Sequence, residues 1–230
     1  SAAGKPVRRR IEQFLRLIDL INQGYGDESP VPYGLAPALV DWIDSDDDVT
    51  ILPYVSRDNE GAESSYYASL ERPHKCKNGP VDCLDELLLL KGMTPEFMDG
   101  RPADPEKGVE AAPGLRPLLT THGETRININ YAPAEVIQSL SPRIDAPLAA
   151  AIVAARQETK FASTKDLLRV PGVTLNLLRE IEPLIAVGEA GRYYRVTARG
   201  QVGGASRVIE AVVERGSGGQ GPRVAMRREL

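Results

Sequence analysis

The sequence predicts an α+β protein that is mostly helical and ends in an antiparallel β-hairpin. Apolar residues recur at helical spacing through most of the first two thirds of the chain, whereas apolar and polar residues alternate near its end. A chain of 230 residues, 42% of them hydrophobic, can bury one large core or two small ones. We therefore expect a first helical lobe with an acidic loop at 1–125, a second helical lobe at 126–186, and strands at 187–230.

Helices in the first lobe are predicted from apolar spacing and from the residues that stop them. Apolar side chains on one face predict an amphipathic helix at 7–23, and a second, shorter helix at 35–43. A leucine-rich run predicts a helix at 82–91, with Gly92 as its stop. The order Thr94-Pro95-Glu96 is typical of a capped helix start.

Helices in the second lobe are marked by capping residues. An alanine-rich helix is predicted at 146–158, Ser163-Thr-Lys-Asp166 has the pattern of a capping box, and Thr174 is placed to cap a helix at 175–182. These short helices need a shared core. We expect that core to contain Ile127, Val136, Ile152, Phe161, Leu167 and Leu178.

The strand prediction rests on two alternating segments around a glycine pair. Residues 193–202 and 207–215 alternate in polarity, and Gly203-Gly204 between them suits a tight turn. A second turn is expected at 217–221, and 223–226 is a candidate third strand. Because a lone hairpin is only marginally stable, this sheet needs further cover.

The segment from Asp41 to Asp48 carries five carboxylates, and more acidic residues follow as far as Glu63. Oxygen ligands from irregular backbone are what calcium takes in proteins. The segment is not an EF-hand, because counting from Asp44 puts Val49 where glycine is needed and Val55 where glutamate is needed. A solvated acidic loop and a calcium site both remain open from the residues alone.

The two cysteines, Cys76 and Cys83, flank a stretch rich in turn-forming residues. Such a turn can bring their sulfurs together as a disulfide, and an isolated pair of cysteines suits an oxidising compartment. The alternative is two free thiols. Two cysteines with a distant histidine make a poor zinc site.

Composition and motifs argue against several classes of function. The formal net charge is −4 and the sequence pI about 5.4, so the chain lacks the basic surplus typical of nucleic-acid binders. His74 and His122 have no partners at metal-binding spacing, and neither a nucleophile elbow nor a phosphate-binding loop occurs. We therefore predict a protein that is not an enzyme.

The order of short helices in the second lobe resembles the helix-hairpin-helix and SAM-like modules, including those of competence-type DNA receptors. In that module, glycine-rich hairpins present backbone amides to phosphate. Here the first hairpin, residues 140–146, has no glycine, and Asp145 within it would repel phosphate. Only the second turn, Pro171-Gly172-Val173, fits the pattern. The alternative hypothesis is a DNA-binding protein of this type.

Taken together, four segments in order resemble the general secretion pathway protein K family, a minor pseudopilin of bacterial type II secretion. With the helices and the hairpin that follow the fourth segment, the resemblance covers nearly all of the chain. The segments are Asp41-Trp-Ile-Asp-Ser-Asp46, Gly61-Ala-Glu63 with Tyr66-Tyr67, Asn78-Gly-Pro80 with Asp85-Glu-Leu-Leu-Leu-Leu-Lys-Gly-Met93, and Arg126-Ile-Asn-Ile-Asn-Tyr-Ala-Pro-Ala-Glu135.

The resemblance implies a helical domain inserted into a pseudopilin sheet, to which the hairpin belongs, with Ca²⁺ bound where the first two segments meet. Asp44, Asp46 and Glu63 are the implied ligands, and Asp48 is added from its place in the loop. Tyr131 stands where members of this family usually have a threonine that caps the next helix. This leaves Asn130 as the expected cap of that helix.

The resemblance also implies partners and location. Members assemble with I-type and J-type minor pseudopilins at the tip of a periplasmic pseudopilus and help to start its assembly; secreted substrates are further candidate partners. No nucleic acid is expected. Members begin with a helix that spans the inner membrane, so we expect the present chain to be the periplasmic part that follows such a helix.

Overall fold

The computed structural model of the chain describes residues 4–25, 31–123, 125–188, 192–216 and 221–229. Helices and strands are mixed, and the strands of the carboxyl-terminal sheet follow two groups of short helices. The α-helices of the first group are α1 (Gly4–Asn22), α2 (Leu35–Ile43), α3 (Ser64–Ala68) and α4 (Pro95–Asp99), and its 3-10 helices are Leu84–Leu89 and Arg116–Leu118.

The predicted α2 is confirmed with its predicted bounds, and α1 is confirmed with its start and end shifted by a few residues. The helix predicted at 82–91 is present as a shorter 3-10 helix, Leu84–Leu89. The three buried leucines of this run, Leu84, Leu87 and Leu90, are spaced three apart. A 3-10 helix has three residues per turn and places all of them on one face, which an α-helix does not.

Trp42 lies at the centre of the first hydrophobic core. Its ring contacts the ring of Tyr67 edge to face, with centroids 5.2 Å apart, and both side chains are almost fully buried. Its indole Nε1 donates a hydrogen bond of 2.9 Å to Glu86, which satisfies the polar end of the ring. Ile18 and Ile21 of α1 pack into the same core, so this core joins α1, α2 and α3.

The second group of helices contains α5 (Ala134–Gln138), α6 (Ala146–Glu158), α7 (Leu175–Ile181) and the 3-10 helices Thr164–Arg169 and Glu182–Leu184. The predicted α6 is confirmed, as are the capping box of Ser163 with Asp166 and the cap of α7 by Thr174. Five of the predicted core residues are buried in the second core, and Ile127 packs against it half-buried.

Asn130 does not cap α5, contrary to the prediction. The helix begins at Ala134 after Pro133, without a side-chain cap. Instead, the buried Asn130 amide bonds both backbone polar groups of Phe161: its Nδ2 donates to the carbonyl at 2.9 Å, and its Oδ1 accepts from the N–H at 3.0 Å. The amide thereby makes the two backbone hydrogen bonds that a neighbouring strand would make with Phe161.

Two short strands close the second lobe. Strand β1 (Ile127–Asn128) pairs in parallel with β2 (Ile185–Ala186), so the first and last segments of the lobe lie side by side. No sequence pattern predicts β2, since a two-residue strand is too short to show alternation. This pairing holds the two ends of the lobe together.

The carboxyl-terminal sheet is antiparallel, with the order β3 (Tyr193–Val202), β4 (Ala205–Glu214) and β5 (Arg223–Glu229). The predicted hairpin is confirmed and the candidate third strand is longer than expected. Gly203 adopts a positive φ of 59° in the β3–β4 turn. The turn predicted at 217–221 falls on residues 217–220, which lie outside the described residues.

This sheet contacts the first lobe through an ion pair and a ring contact. Arg228 of β5 pairs with Asp85 and also with Glu210, the latter at 3.2 Å. Asp85 pairs in addition with Arg116 at 2.6 Å, and His122 stacks on Tyr193 with ring centroids 5.4 Å apart. The first lobe thus supplies part of the cover that the sheet requires.

Across the described ranges, none of the helices combines the length and apolar character needed to cross a bilayer.

We expect Asn130→Ala to lower the free energy of unfolding by about 2–4 kcal/mol, since it leaves two buried backbone groups of Phe161 without partners. Urea unfolding followed by circular dichroism measures the change. Asn176→Ala on the exposed surface of α7 is the matched control, and we expect it to change stability by less than about 0.5 kcal/mol. Equal stabilities for the two variants would contradict the role given to Asn130.

Candidate functional site: a buried carboxylate cluster

Three acidic side chains converge between α2 and α3. Asp44 is the residue at which α2 ends, and its extended backbone turns the chain away from the helix axis. Glu63 is the residue before α3, and Asp46 lies in the loop between them. Carboxylate oxygens of the three residues all lie within 4.8 Å of one another. The structure therefore brings together three of the four predicted metal ligands.

Burial of Glu63 makes this cluster unusual. Glu63 is only 2% exposed, and among the described residues its carboxylate oxygens have no hydrogen-bond partner beyond a contact with the Cys76 thiol. Asp44 Oδ1 is also buried without a partner. Within the described part of the chain, no lysine or arginine pairs with the three carboxylates. Unpaired buried charges are strongly disfavoured, so the residues present fit a bound cation that would supply the missing partner.

The electrostatics lead to the same conclusion. Burial, together with the negative charges of Asp41 and Asp44, raises the pKa of Glu63 to about 7. Burial is also the main reason why the pKa of Asp44 is raised. The carboxyls of Glu63 and Asp44 therefore hold their protons more tightly than usual when no cation is present.

Asp41 holds the loop in place around the cluster. It is fully buried on α2, and its Oδ1 accepts a hydrogen bond of 2.9 Å from the N–H of Thr50. Gly61 packs directly on its other oxygen: a Cβ at this position would lie 2.1 Å from Asp41 Oδ2. Only glycine fits there, which explains why a glycine comes two residues before Glu63.

Sequence reasoning did not single out Asp41 as a structural residue, although a signal was present. Ala38, Asp41 and Trp42 follow helical spacing on the buried face of α2. A carboxylate on a buried helix face needs polar partners, and those partners are found in the returning loop. The pattern therefore indicates that Asp41 holds the loop in place.

The fourth predicted ligand, Asp48, does not lie with the three carboxylates that the structure brings together. The exposed Asp48 instead donates its backbone N–H to Asp46 Oδ1 at 3.0 Å, so its role is to orient a ligand candidate. The neighbouring Asp47 accepts a hydrogen bond of 2.9 Å from the Ser64 hydroxyl. These contacts close the loop against the start of α3.

The two cysteines are free thiols in this structure, so the predicted disulfide is not formed in it. The buried Cys76 sulfur is directed at the Asp41 carbonyl, 3.5 Å away, and also contacts Glu63. Burial raises the pKa of Cys76 to about 11, which keeps it protonated. Cys83 lies half-buried before the 3-10 helix Leu84–Leu89, and pairing the two sulfurs would require Cys76 to leave Asp41.

The two histidines make ring contacts rather than metal contacts. His74 lies beside Tyr67, with centroids 4.9 Å apart, and His122 stacks on Tyr193. Neither lies in the carboxylate cluster. The cluster is therefore a site of oxygen ligands only, which favours a hard cation such as calcium over a transition metal.

The raised pKa of Glu63 predicts how stability depends on pH when divalent cations are removed by a chelator. A carboxyl whose pKa rises from 4.5 to about 7 on folding binds its proton more tightly in the folded state. The free energy of unfolding should therefore fall as pH rises through this window, by up to about 3 kcal/mol from this group.

Glu63→Gln cannot ionise, so we expect this variant to lose that part of the pH dependence. Chelated wild type and variant are compared by urea unfolding at about pH 5 and about pH 8. Glu60→Gln, at an exposed position nearby, is the control and should follow the wild type. The assignment is wrong if the Glu63 variant and the control show the same dependence on pH.

Comparisons with known proteins bear on both helical lobes. Residues 2–100 match the first domain of the family described as type II secretion system (T2SS), protein K, and residues 127–187 match a second domain of the same family. No curated protein sequence matches the chain.

Among solved structures, one that matches is a chain in the crystal structure of the GspK-GspI-GspJ complex from the enterotoxigenic Escherichia coli type 2 secretion system. The TM-score is 0.61 at 17% identity, covering 96% of this chain and 69% of that one. This likeness supports the fold. Since the two family matches together cover more than half of the sequence, the chain belongs to the type II secretion system protein K family.

Proposed function

We propose that this chain is the periplasmic head of a minor pseudopilin that lies at the tip of the type II secretion pseudopilus and helps to start its assembly. The observation that carries the proposal is the family match over both helical lobes. The role is structural and involves no catalysis. A preceding helix would anchor the protein in the inner membrane, and secreted substrates would be further contacts.

The partners we propose are the I-type and J-type minor pseudopilins. A chain in a GspK-GspI-GspJ complex shares the fold of this one, which supports this choice. The packed lobes offer such partners a preformed surface, because each lobe has its own buried hydrophobic core. Rigid surfaces lose little conformational entropy on binding.

We also propose that Ca²⁺ occupies the carboxylate cluster and acts as a structural ion. Asp44, Asp46 and Glu63 would hold it, and its charge would offset their mutual repulsion. The ion would fix the loop between α2 and α3 and so stabilise this part of the head. The buried oxygens of Glu63 that lack partners support this proposal.

The fold of the second lobe invites comparison with DNA-binding helix-hairpin-helix modules, which we propose it reuses without binding DNA. Gly172 has a positive φ of 96° in the second hairpin, as such a turn requires. In the first hairpin, however, Arg143 is paired with Glu180, and Asp145 caps α6 through the N–H of Leu148. The one basic side chain of that hairpin is therefore already neutralised.

Mixing the purified head with soluble heads of I-type and J-type pseudopilins tests the assembly proposal. We expect a heteromeric complex with micromolar or tighter affinity on size-exclusion chromatography with light scattering. A gel-shift assay at low and high salt tests the alternative. Salt-sensitive retention of DNA together with no complex between the heads would overturn the proposal.

Thermal unfolding with and without a chelator tests the calcium proposal. We expect the chelator to lower the melting temperature by several degrees, because an ion that binds only the folded state stabilises it. Asp44→Asn should abolish most of this difference, since it removes a ligand. Asp48→Asn is the matched control and should retain the difference, because Asp48 lies outside the cluster. Coincident melting temperatures in the wild type would contradict the proposal.

A further inference from the structure

We infer that a cleft between the two helical lobes and the carboxyl-terminal sheet receives an acidic segment of a neighbouring minor pseudopilin head. The inference rests on the proposed assembly with I-type and J-type heads. The cleft has a volume of about 890 Å³. Its wall includes residues 116–123 of the first lobe, residues 126–128 and 131–133 of the second lobe, and residues of β3, β4 and β5. A segment bound there would contact all three parts of the head at once.

Positive charge dominates the described residues of this wall. Five arginines line the cleft against a single glutamate: Arg116, Arg126, Arg192, Arg195 and Arg228 against Glu210. The whole chain, by contrast, has a formal net charge of −4. A cleft that concentrates charge of one sign favours a partner of the opposite sign. We therefore expect the occupant of the cleft to carry carboxylates.

The pairing of these arginines indicates how much negative charge the cleft can take. Four of the five are held by carboxylates of the chain, in the pairs Arg116–Asp85, Arg228–Glu210, Arg195–Glu210 and Arg192–Glu214. Only the exposed guanidinium of Arg126 makes no ion pair or hydrogen bond within the described part of the chain. So little uncompensated charge suits a protein segment with few carboxylates better than the continuous phosphate backbone of a nucleic acid.

Two further residues of the wall have polar atoms that lack partners. Arg228 Nε and His122 Nε2 are buried, and neither makes a hydrogen bond to a described residue. An arginine Nε always carries a hydrogen and a histidine Nε2 can carry one, so an incoming acceptor would satisfy both atoms. Carboxylate oxygens are acceptors only. The chemistry of these two residues therefore agrees with an acidic occupant.

The uncharged part of the wall is apolar and aromatic, and includes Leu118, Ile127, Val212, Met226, Tyr131 and Tyr193. Tyr131 is 48% exposed, and the ammonium group of Lys160 lies 4.4 Å from the centroid of its ring. Tyrosine and arginine are the residues that most often dominate the energy of protein interfaces. The occupant should therefore combine carboxylates with apolar side chains, as a segment of a protein partner can.

Charge reversal at Arg126 tests the inference in the complex of purified heads. We expect Arg126→Glu to weaken association with the I-type and J-type heads by about tenfold or more, because it sets like charges against each other in the cleft. Isothermal titration calorimetry measures the affinity. Arg126 is exposed and makes no ion pair with a described residue, so the variant should fold normally, which circular dichroism checks.

Arg199→Glu is the matched control. Arg199 is also exposed, but it lies on β3 outside the cleft. We expect its affinity for the two heads to stay within about threefold of the wild type. If the two variants associate equally tightly, the inference about the cleft is wrong and the proposed assembly stands. If the wild-type heads do not associate, the proposed assembly fails as well. Retention of DNA that Arg126→Glu abolishes would assign the cleft to nucleic acid and overturn the inference.

Cross-linking locates the bound segment independently of any change in affinity. A photoreactive benzoylphenylalanine replaces Tyr131 in the cleft or, in a control variant, Tyr54, which is 41% exposed and lies outside the cleft. Mass spectrometry of the irradiated complex identifies the linked residues. We expect position 131, and not position 54, to link to a partner segment that contains aspartate or glutamate. In an assembled complex, no link from position 131, or a link to a segment without acidic residues, would overturn the inference.

Discussion

The burial of Glu63 against other carboxylates is the constraint on which the first lobe depends. Glu63 loses its hydration on folding and gains no cationic partner from the part of the chain that the structure describes. Hydrophobic packing around Trp42 and Tyr67 is what forces the acidic segments together, since α2 and α3 both contribute to that core. The first lobe therefore combines a well-packed hydrophobic core with a group of mutually repelling carboxylates at the edge of that core.

Contacts on one side of the loop between α2 and α3 hold it in place beside these carboxylates. Asp41 accepts from Thr50, and Gly61 packs against Asp41 so closely that no larger residue fits. These contacts shape the loop with or without an ion. A site that already has its bound shape loses less conformational entropy when it binds a ligand. The contacts that bring the carboxylates together would therefore also favour the proposed binding of a cation.

Much of this structure could be predicted from the sequence, where local signals and tertiary packing agree. The α2 helix and the β3–β4 hairpin show clear periodicity, and α6 is rich in alanine. Sequence patterns failed where packing decides the structure. The run at 84–89 forms a 3-10 helix that lets Leu84, Leu87 and Leu90 all pack in the core, and Asp48 lies on the surface although it is close in sequence to Asp46. Such choices depend on contacts between remote segments.

The carboxylate of Asp85 joins parts of the chain that are far apart in sequence. It pairs with Arg228 in the last strand and with Arg116 in the first lobe. Because one side chain serves both arginines, its loss would remove both contacts at once.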